Sequence, residues 1–166
     1  MRNIVLIGMP SAGKSTVGVI LAKNFGMSFV DTDVLLQTQQ GKLLQEILNN
    51  EGSGVFLDIE EKAILSLNCT NTVIATGGSV VYSEKAMEHL KKNSIVIYLH
   101  IEIETVNIRL RNLRTRGVVL EKGQTLEDIY RERAPLYEKY ADVKLECSNN
   151  SIEDTLAAVH NKLASL

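Results

Sequence analysis

Residues Gly8-x-x-x-x-Gly13-Lys14-Ser15 hold the densest set of chemistry-bearing types in this chain. An apolar run at 4–7 leads into them and an amphipathic stretch follows, which is the P-loop pattern of strand, loop and helix. Gly8 and Gly13 permit backbone conformations and close approaches that a Cβ would block. Successive N–H groups from Ser11, Ala12, Gly13 and Thr16 can then face a polyphosphate at the positive end of the helix. Lys14 would reach the β- and γ-phosphates, and the Ser15 hydroxyl would ligate Mg²⁺. The bland alternative is a Gly-rich turn between strand and helix. The flanking pattern favours a site for a nucleoside triphosphate.

Asp31-Thr32-Asp33 leaves the next apolar run. Residues i and i+2 at a strand's end can both reach a pocket above it. One carboxylate there could organise Mg²⁺, and the other could hold an acceptor hydroxyl and take its proton. The structural alternative makes Asp31 a helix cap and puts Asp33 in the first helical turn. Gly77-Gly78-Ser79 ends a third run, where paired glycines let backbone meet a ligand closely or simply form a tight turn. Four arginines follow at 109, 111, 114 and 116. A solvated helix face accounts for Arg111 and Arg114, whereas Arg116 is placed to close over a transferring phosphoryl group. Arg133 precedes Pro135; its alternative is a salt bridge to Glu132 or Glu138.

Placing these residues requires a particular frame. Strands are expected at 4–7, 28–30, 72–75, 95–99 and 143–145, several of them continuous Val- and Ile-rich runs suited to burial on both faces. Helices are expected at 14–25, 55–67, 84–92, 126–140 and 152–166, with another marked by Ile103, Val106, Leu110 and Leu113. This alternation predicts an α/β fold of three layers, with a five-stranded parallel sheet between helices. Ligands on such sheets bind beyond the strands' carboxyl ends. Residues 32–60 read as a small helical substrate-binding insertion, with a soft turn at 51–54, and 112–124 as a lid.

At 166 residues and 45% hydrophobic, the chain suits one buried core and is too short for two ordinary domains. Its net charge of −2 gives no reason to expect a nucleic-acid or membrane partner. Cys69 and Cys147 are too few for a disulfide framework, and His89, His100 and His160 lack metal-ligand spacing. A cytoplasmic monomer acting on a small molecule is the expectation.

The ordered set of P-loop, Asp-x-Asp, Phe56-x-x-x-Glu60, Gly-Gly strand end, arginine lid and Arg133-x-Pro135-x-Tyr137 resembles the shikimate kinase family over about residues 3–165. The resemblance implies transfer of phosphate from ATP to the 3-hydroxyl of shikimate, with Mg²⁺. It implies that Gly8, Gly13, Lys14 and Ser15 handle phosphate and metal, and that Asp31 stands near the metal. Asp33 would hold the acceptor hydroxyls and serve as base, and Gly77 and Gly78 would belong to a Gly-Gly-Gly substrate loop. Arg109 would stack on adenine, Arg116 would be the lid arginine, and Arg133 would pair with the acceptor carboxylate. Three positions depart from the pattern: Leu57 replaces a second substrate arginine, Ser79 replaces the third glycine, and the lid reads Arg116-Gly117-Val118-Val119. The phosphate side is intact and the acceptor side altered. A kinase for another polyol or sugar acid, and a catalytically silent nucleotide-binding regulator, are the competing readings.

Overall fold

Continuous runs of Val, Ile and Leu set the centre of the molecule. The computed structural model describes residues 2–111 and 123–165. Its central strand, β1 (Asn3–Ile7), is buried along its whole length. Around it lie β2 (Ser28–Asp31), β3 (Thr72–Ala75), β4 (Ser94–His100) and β5 (Val143–Glu146), in the order β2-β3-β1-β4-β5 and all parallel. Burial on both faces explains why β1 and β3 show no polar alternation, whereas the edge strand β5 alternates buried and exposed residues.

Helices supply the outer layers. α1 (Lys14–Phe25) packs on β1, β2 and β3 and against α7 (Ile152–Ala164). The other face is covered by α3 (Leu44–Leu65), α4 (Glu84–Lys91) and α6 (Leu126–Tyr140), while α2 (Thr32–Gln40) pairs with α3 and α5 (Ile103–Arg111) with α6. Gly26, in the left-handed conformation at φ 63°, closes α1 with its N–H on the carbonyls of Ala22 and Lys23. No helix among the described residues is long and apolar enough to cross a membrane.

The insertion carries the expected turn in its shortest form. α3 begins at Leu44 and is two helical arms joined at Gly52, which leaves helical geometry (φ 83°, ψ 170°) inside the turn expected at 51–54. A residue without a Cβ takes that conformation most readily. α2 and α3 enclose a small core of their own: Leu36, Ile47 and Phe56 are buried, with Leu44, Leu48, Leu57 and Ile59 against them. α6 also passes through Pro135 without a break.

Register decides where the functional loops meet. Leu6 pairs with Ala75, and Ala75 with Asp31, so the carboxyl ends of β1, β3 and β2 lie level. The chain runs from β1 to β2 across β3, and β4 lies on the other side of β1, making the carboxyl end of β1 the point where strand order switches.

Candidate active site

At that switch point the loop after β1 folds tightly on itself. Gly8 has φ 145°, and a Cβ there would lie 2.6 Å from the Leu99 carbonyl oxygen of β4. No other residue type lets the loop start so close to the sheet. Gly13 (φ 91°) and Ser11 (φ 69°) take left-handed conformations, and Gly13 stands at the start of α1. Lys14 is buried, and its ammonium donates to the Gly8 and Met9 carbonyls, each at 2.8 Å. The Ser11 hydroxyl is buried with no hydrogen-bond partner among the described residues. A buried polar atom of that kind is costly unless a ligand meets it. A cationic side chain, a helix amino terminus and an orphaned hydroxyl on one loop fit the phosphates of a nucleotide. Arg109 of α5 donates to the Ser11 carbonyl at 3.1 Å, which lays its guanidinium over the same loop.

Asp31 caps α2: its Oδ1 accepts from the Asp33 N–H at 3.0 Å and the Val34 N–H at 3.4 Å. The capping alternative is therefore correct for this residue, yet Asp31 also lines a cavity of about 300 Å³ together with Lys14, Ser15 and Asp33. Hydroxyl and carboxylate oxygens so grouped suit a hard divalent cation. Capping orients Asp31 and puts Asp33 into the first turn facing the cavity, so structural and chemical roles coincide.

The opposite wall comes from β3, α3 and α6. Gly77, Gly78 and Ser79 line the cavity with Arg133. The Gly77 N–H donates to the buried Thr32 hydroxyl at 3.0 Å, tying the end of β3 to the first turn of α2. Both glycines have a steric reason. A Cβ on Gly77 would lie 2.5 Å from a Glu60 oxygen and 2.8 Å from an Asp33 oxygen; one on Gly78 would lie 3.0 Å from Arg133 Nη1 and from Pro10 Cδ. Arg133 is 1% exposed. Its Nε donates to the Tyr82 hydroxyl at 3.3 Å and its guanidinium lies over the Tyr82 ring. The alternative partners are otherwise engaged: Glu132 accepts from the Tyr82 hydroxyl at 2.9 Å, and Glu138 pairs with Lys144 at 2.9 Å.

Three residues here escaped the sequence reading. Glu60 appeared only as the end of a motif, yet it is a buried carboxyl behind Gly77 that accepts from the Ser79 hydroxyl at 2.6 Å. Burial pushes it up to about 7; the Ser79 hydrogen bond, Arg133 and Lys14 oppose that rise, and Asp33 adds to it. Tyr137, buried in α6, donates to the Gly78 carbonyl and holds the glycine turn from beneath. Tyr82 carries the platform for Arg133. A helical i, i+4 relation between Arg133 and Tyr137 was the available signal, since it places both on one face of α6.

Thr16 is exposed at the start of α1, and Ala12 is buried in the loop. Arg116, and with it most of the lid, lies outside the described residues. Leu57 points into the insertion's small core rather than lining the cavity. His100, expected to be structural, bonds Glu146 at 2.5 Å and the Tyr130 hydroxyl at 2.9 Å. Glu102 and Glu146 lie near enough to share an ion with it, but both His100 nitrogens are already engaged.

Comparison with known proteins agrees with this arrangement. The model of the family described as shikimate kinase matches residues 10–164. A shikimate kinase from Thiobacillus denitrificans is 36% identical over 165 residues, covering 97% of this chain and 90% of that protein. The human protein named threonine synthase-like 1 is 32% identical over 158 residues, covering 94% of this chain but 21% of that one. A shikimate kinase from Acinetobacter baumannii, solved in complex with shikimate, superposes with a TM-score of 0.90 at 29% identity, covering 99% of this chain and 94% of that one. A cavity that joins the loop after β1 to an acid on α2 and a buried arginine on α6 suits a kinase acting on a small hydroxylated acid. In sequence and in fold, the chain belongs to the shikimate kinase family.

Proposed function

We propose that this protein transfers the γ-phosphoryl group of ATP to the 3-hydroxyl of shikimate. The observation that carries the reading is convergence: Lys14 and Ser15 from the phosphate loop, Asp33 from α2 and Arg133 from α6 line one cavity. Its volume of about 300 Å³ suits one small hydroxy acid, near the lower bound for ligand pockets.

The roles follow from the chemistry of each side chain. Backbone N–H groups of residues 11–16 and the Lys14 ammonium would hold the phosphates, with Arg109 beside the base. Ser15 and Asp31 would hold Mg²⁺, which offsets negative charge on the phosphates when bound. Asp33 accepts a hydrogen bond from the attacking hydroxyl. As that oxygen bonds to the γ-phosphorus and the bridging bond to ADP breaks, Asp33 takes the hydroxyl proton. Arg133 pairs with the acceptor carboxylate and fixes which hydroxyl faces the phosphate. Arg116 is assigned to the lid on the family resemblance alone, where it would shield the transferring group from water.

ADP release by the purified protein should depend on shikimate. Absence of shikimate-dependent turnover at millimolar concentration overturns the substrate assignment. One observation favours a second reading, in which another hydroxy acid is the acceptor. Leu57 is turned into the insertion core, so Arg133 is the one arginine lining the cavity among the described residues. A panel of polyols and sugar acids in the same assay separates the two. Nucleotide binding without turnover of any acceptor would instead indicate a silent regulator.

A further inference from the structure

Among the described residues two side-chain amides line the cavity, Gln37 of α2 and Gln45 of α3. Gln45 is exposed and gives an N–H to Asn49 Oδ1 at 2.9 Å, one turn further along α3. Gln37 is half-buried, and its Oε1 accepts from the Leu44 N–H at 3.2 Å. That N–H is the first of α3, and Leu43 before it has no side-chain oxygen to cap the helix, so the amide of α2 does so. An N–H can be met only by an acceptor. The bond therefore fixes how the amide is turned: its oxygen faces the start of α3, and its NH₂ group faces away from it. Among the described residues no group accepts from that nitrogen, which leaves both its hydrogens for water or a ligand.

Asp33 stands one turn before Gln37 on α2, and both line the cavity. The two are chemical complements, because an ionised carboxylate only accepts hydrogen bonds and the outward end of Gln37 only donates them. A lone hydroxyl satisfies Asp33 and leaves Gln37 unused. Two adjacent hydroxyls use both groups. Each gives its one hydrogen to the Asp33 carboxylate, and the attacking oxygen keeps its lone pairs for phosphorus. The neighbouring oxygen has lone pairs to spare, and Gln37 supplies the donor for them. We propose that Gln37 is a specificity-determining residue: its amide donates to the hydroxyl adjacent to the one phosphorylated, so Asp33 and Gln37 together read a vicinal diol on the acceptor. The assignment rests on the kinase reading, because it takes Asp33 as the group that holds the attacking hydroxyl. It also narrows the acceptor class, from any small hydroxy acid to one with two neighbouring hydroxyls. A glutamate at 37 would still cap Leu44, but it would face the second hydroxyl with a second carboxylate, and that hydroxyl has no further hydrogen to offer.

Gln37→Glu separates the two jobs of this side chain. An oxygen still meets the Leu44 N–H, and negative charge suits a helix amino terminus, so the melting point should not fall. The KM for shikimate should rise about tenfold while the KM for ATP stays within about twofold. The control acceptor is 4-deoxyshikimate, which lacks the hydroxyl beside the 3-position. On that compound the substitution should change KM by less than about twofold, because residue 37 has nothing left to read. An equal rise on both acceptors would assign the effect to charge alone and overturn the proposal, as would an unchanged KM for shikimate. Calorimetric titration of each compound into the ADP-loaded protein reads the same cycle without turnover. If the unsubstituted protein phosphorylates neither compound, the kinase reading falls. A tenfold loss of shikimate affinity in Gln37→Glu, absent for the deoxy compound, would then still support the diol reading, and no loss would sink it.

Discussion

The two halves of the cavity are built by different means. On the phosphate side, backbone shapes most of the wall: three residues with positive φ (Gly8, Ser11 and Gly13), a helix start, and one lysine folded onto the loop's own carbonyls. On the acceptor side, separate elements line or brace it: Asp33 and Thr32 from α2, Glu60 from α3, the turn after β3, and Arg133 with Tyr137 from α6. A backbone site tolerates almost no change, because its spacing is its function. A side-chain site can exchange one partner for another without a change of backbone. The difference teaches why one wall of the cavity is carried by a single short stretch of sequence and the other by residues far apart in it.

The largest expected effect tests the rigid half. Lys14→Ala removes the buried ammonium that bonds the loop at both Gly8 and Met9. Loss of a preorganised charge at the reacting phosphoryl should cost about a hundred- to a thousandfold in kcat. Steady-state kinetics at saturating acceptor check this. A loss confined to the acceptor KM would erase the division between the halves.

The same division accounts for what could be read in advance. The P-loop was legible because Gly8, Gly13, Lys14 and Ser15 lie within one short stretch, where local sequence sets local geometry. β1 and β3 were legible because burial on both faces leaves continuous apolar runs. So was the turn at 51–54, where Gly52 breaks α3 into two arms (φ 83°, ψ 170°). Glu60 was not, because its environment comes from Ser79, Gly77 and Asp33, none of them its neighbour in sequence. Asp31 shows a third case. Capping and cavity lining were weighed as rivals, and the strand-to-helix junction lets one carboxylate do both.

Glu60 also gives the next-largest effect, and the sign is set by its raised proton affinity. The folded protein holds this proton up to about pH 7, whereas an ordinary glutamate releases it near 4.5. Between those values the folded state carries the extra proton, so stability falls as pH rises through the window and the loss is complete above it. The full difference corresponds to on the order of 3 kcal/mol. Glu60→Gln cannot ionise and still offers an oxygen to Ser79. It should melt close to the unsubstituted protein at pH 5 and roughly 5 °C or more above it at pH 8. Equal melting points at both pH values would show that the acceptor half carries no buried titrating strain.

Arg133→Gln gives the smallest of these effects and the sharpest test of the comparison. The side chain sits at the contact between the halves: its Nη1 and Pro10 of the phosphate loop both crowd the face of Gly78 where a Cβ would stand, each at 3.0 Å. Removing the guanidinium takes away a charge-assisted bond to the acceptor of roughly 1.5–3 kcal/mol, or about ten- to a hundredfold in acceptor KM. If the halves act separately, the KM for ATP stays within about twofold. Arg133→Lys should recover part of the loss, since it restores charge without the planar fork. A parallel rise in both KM values would mean that Pro10 and Gly78 transmit the change, and that the two sites work as one.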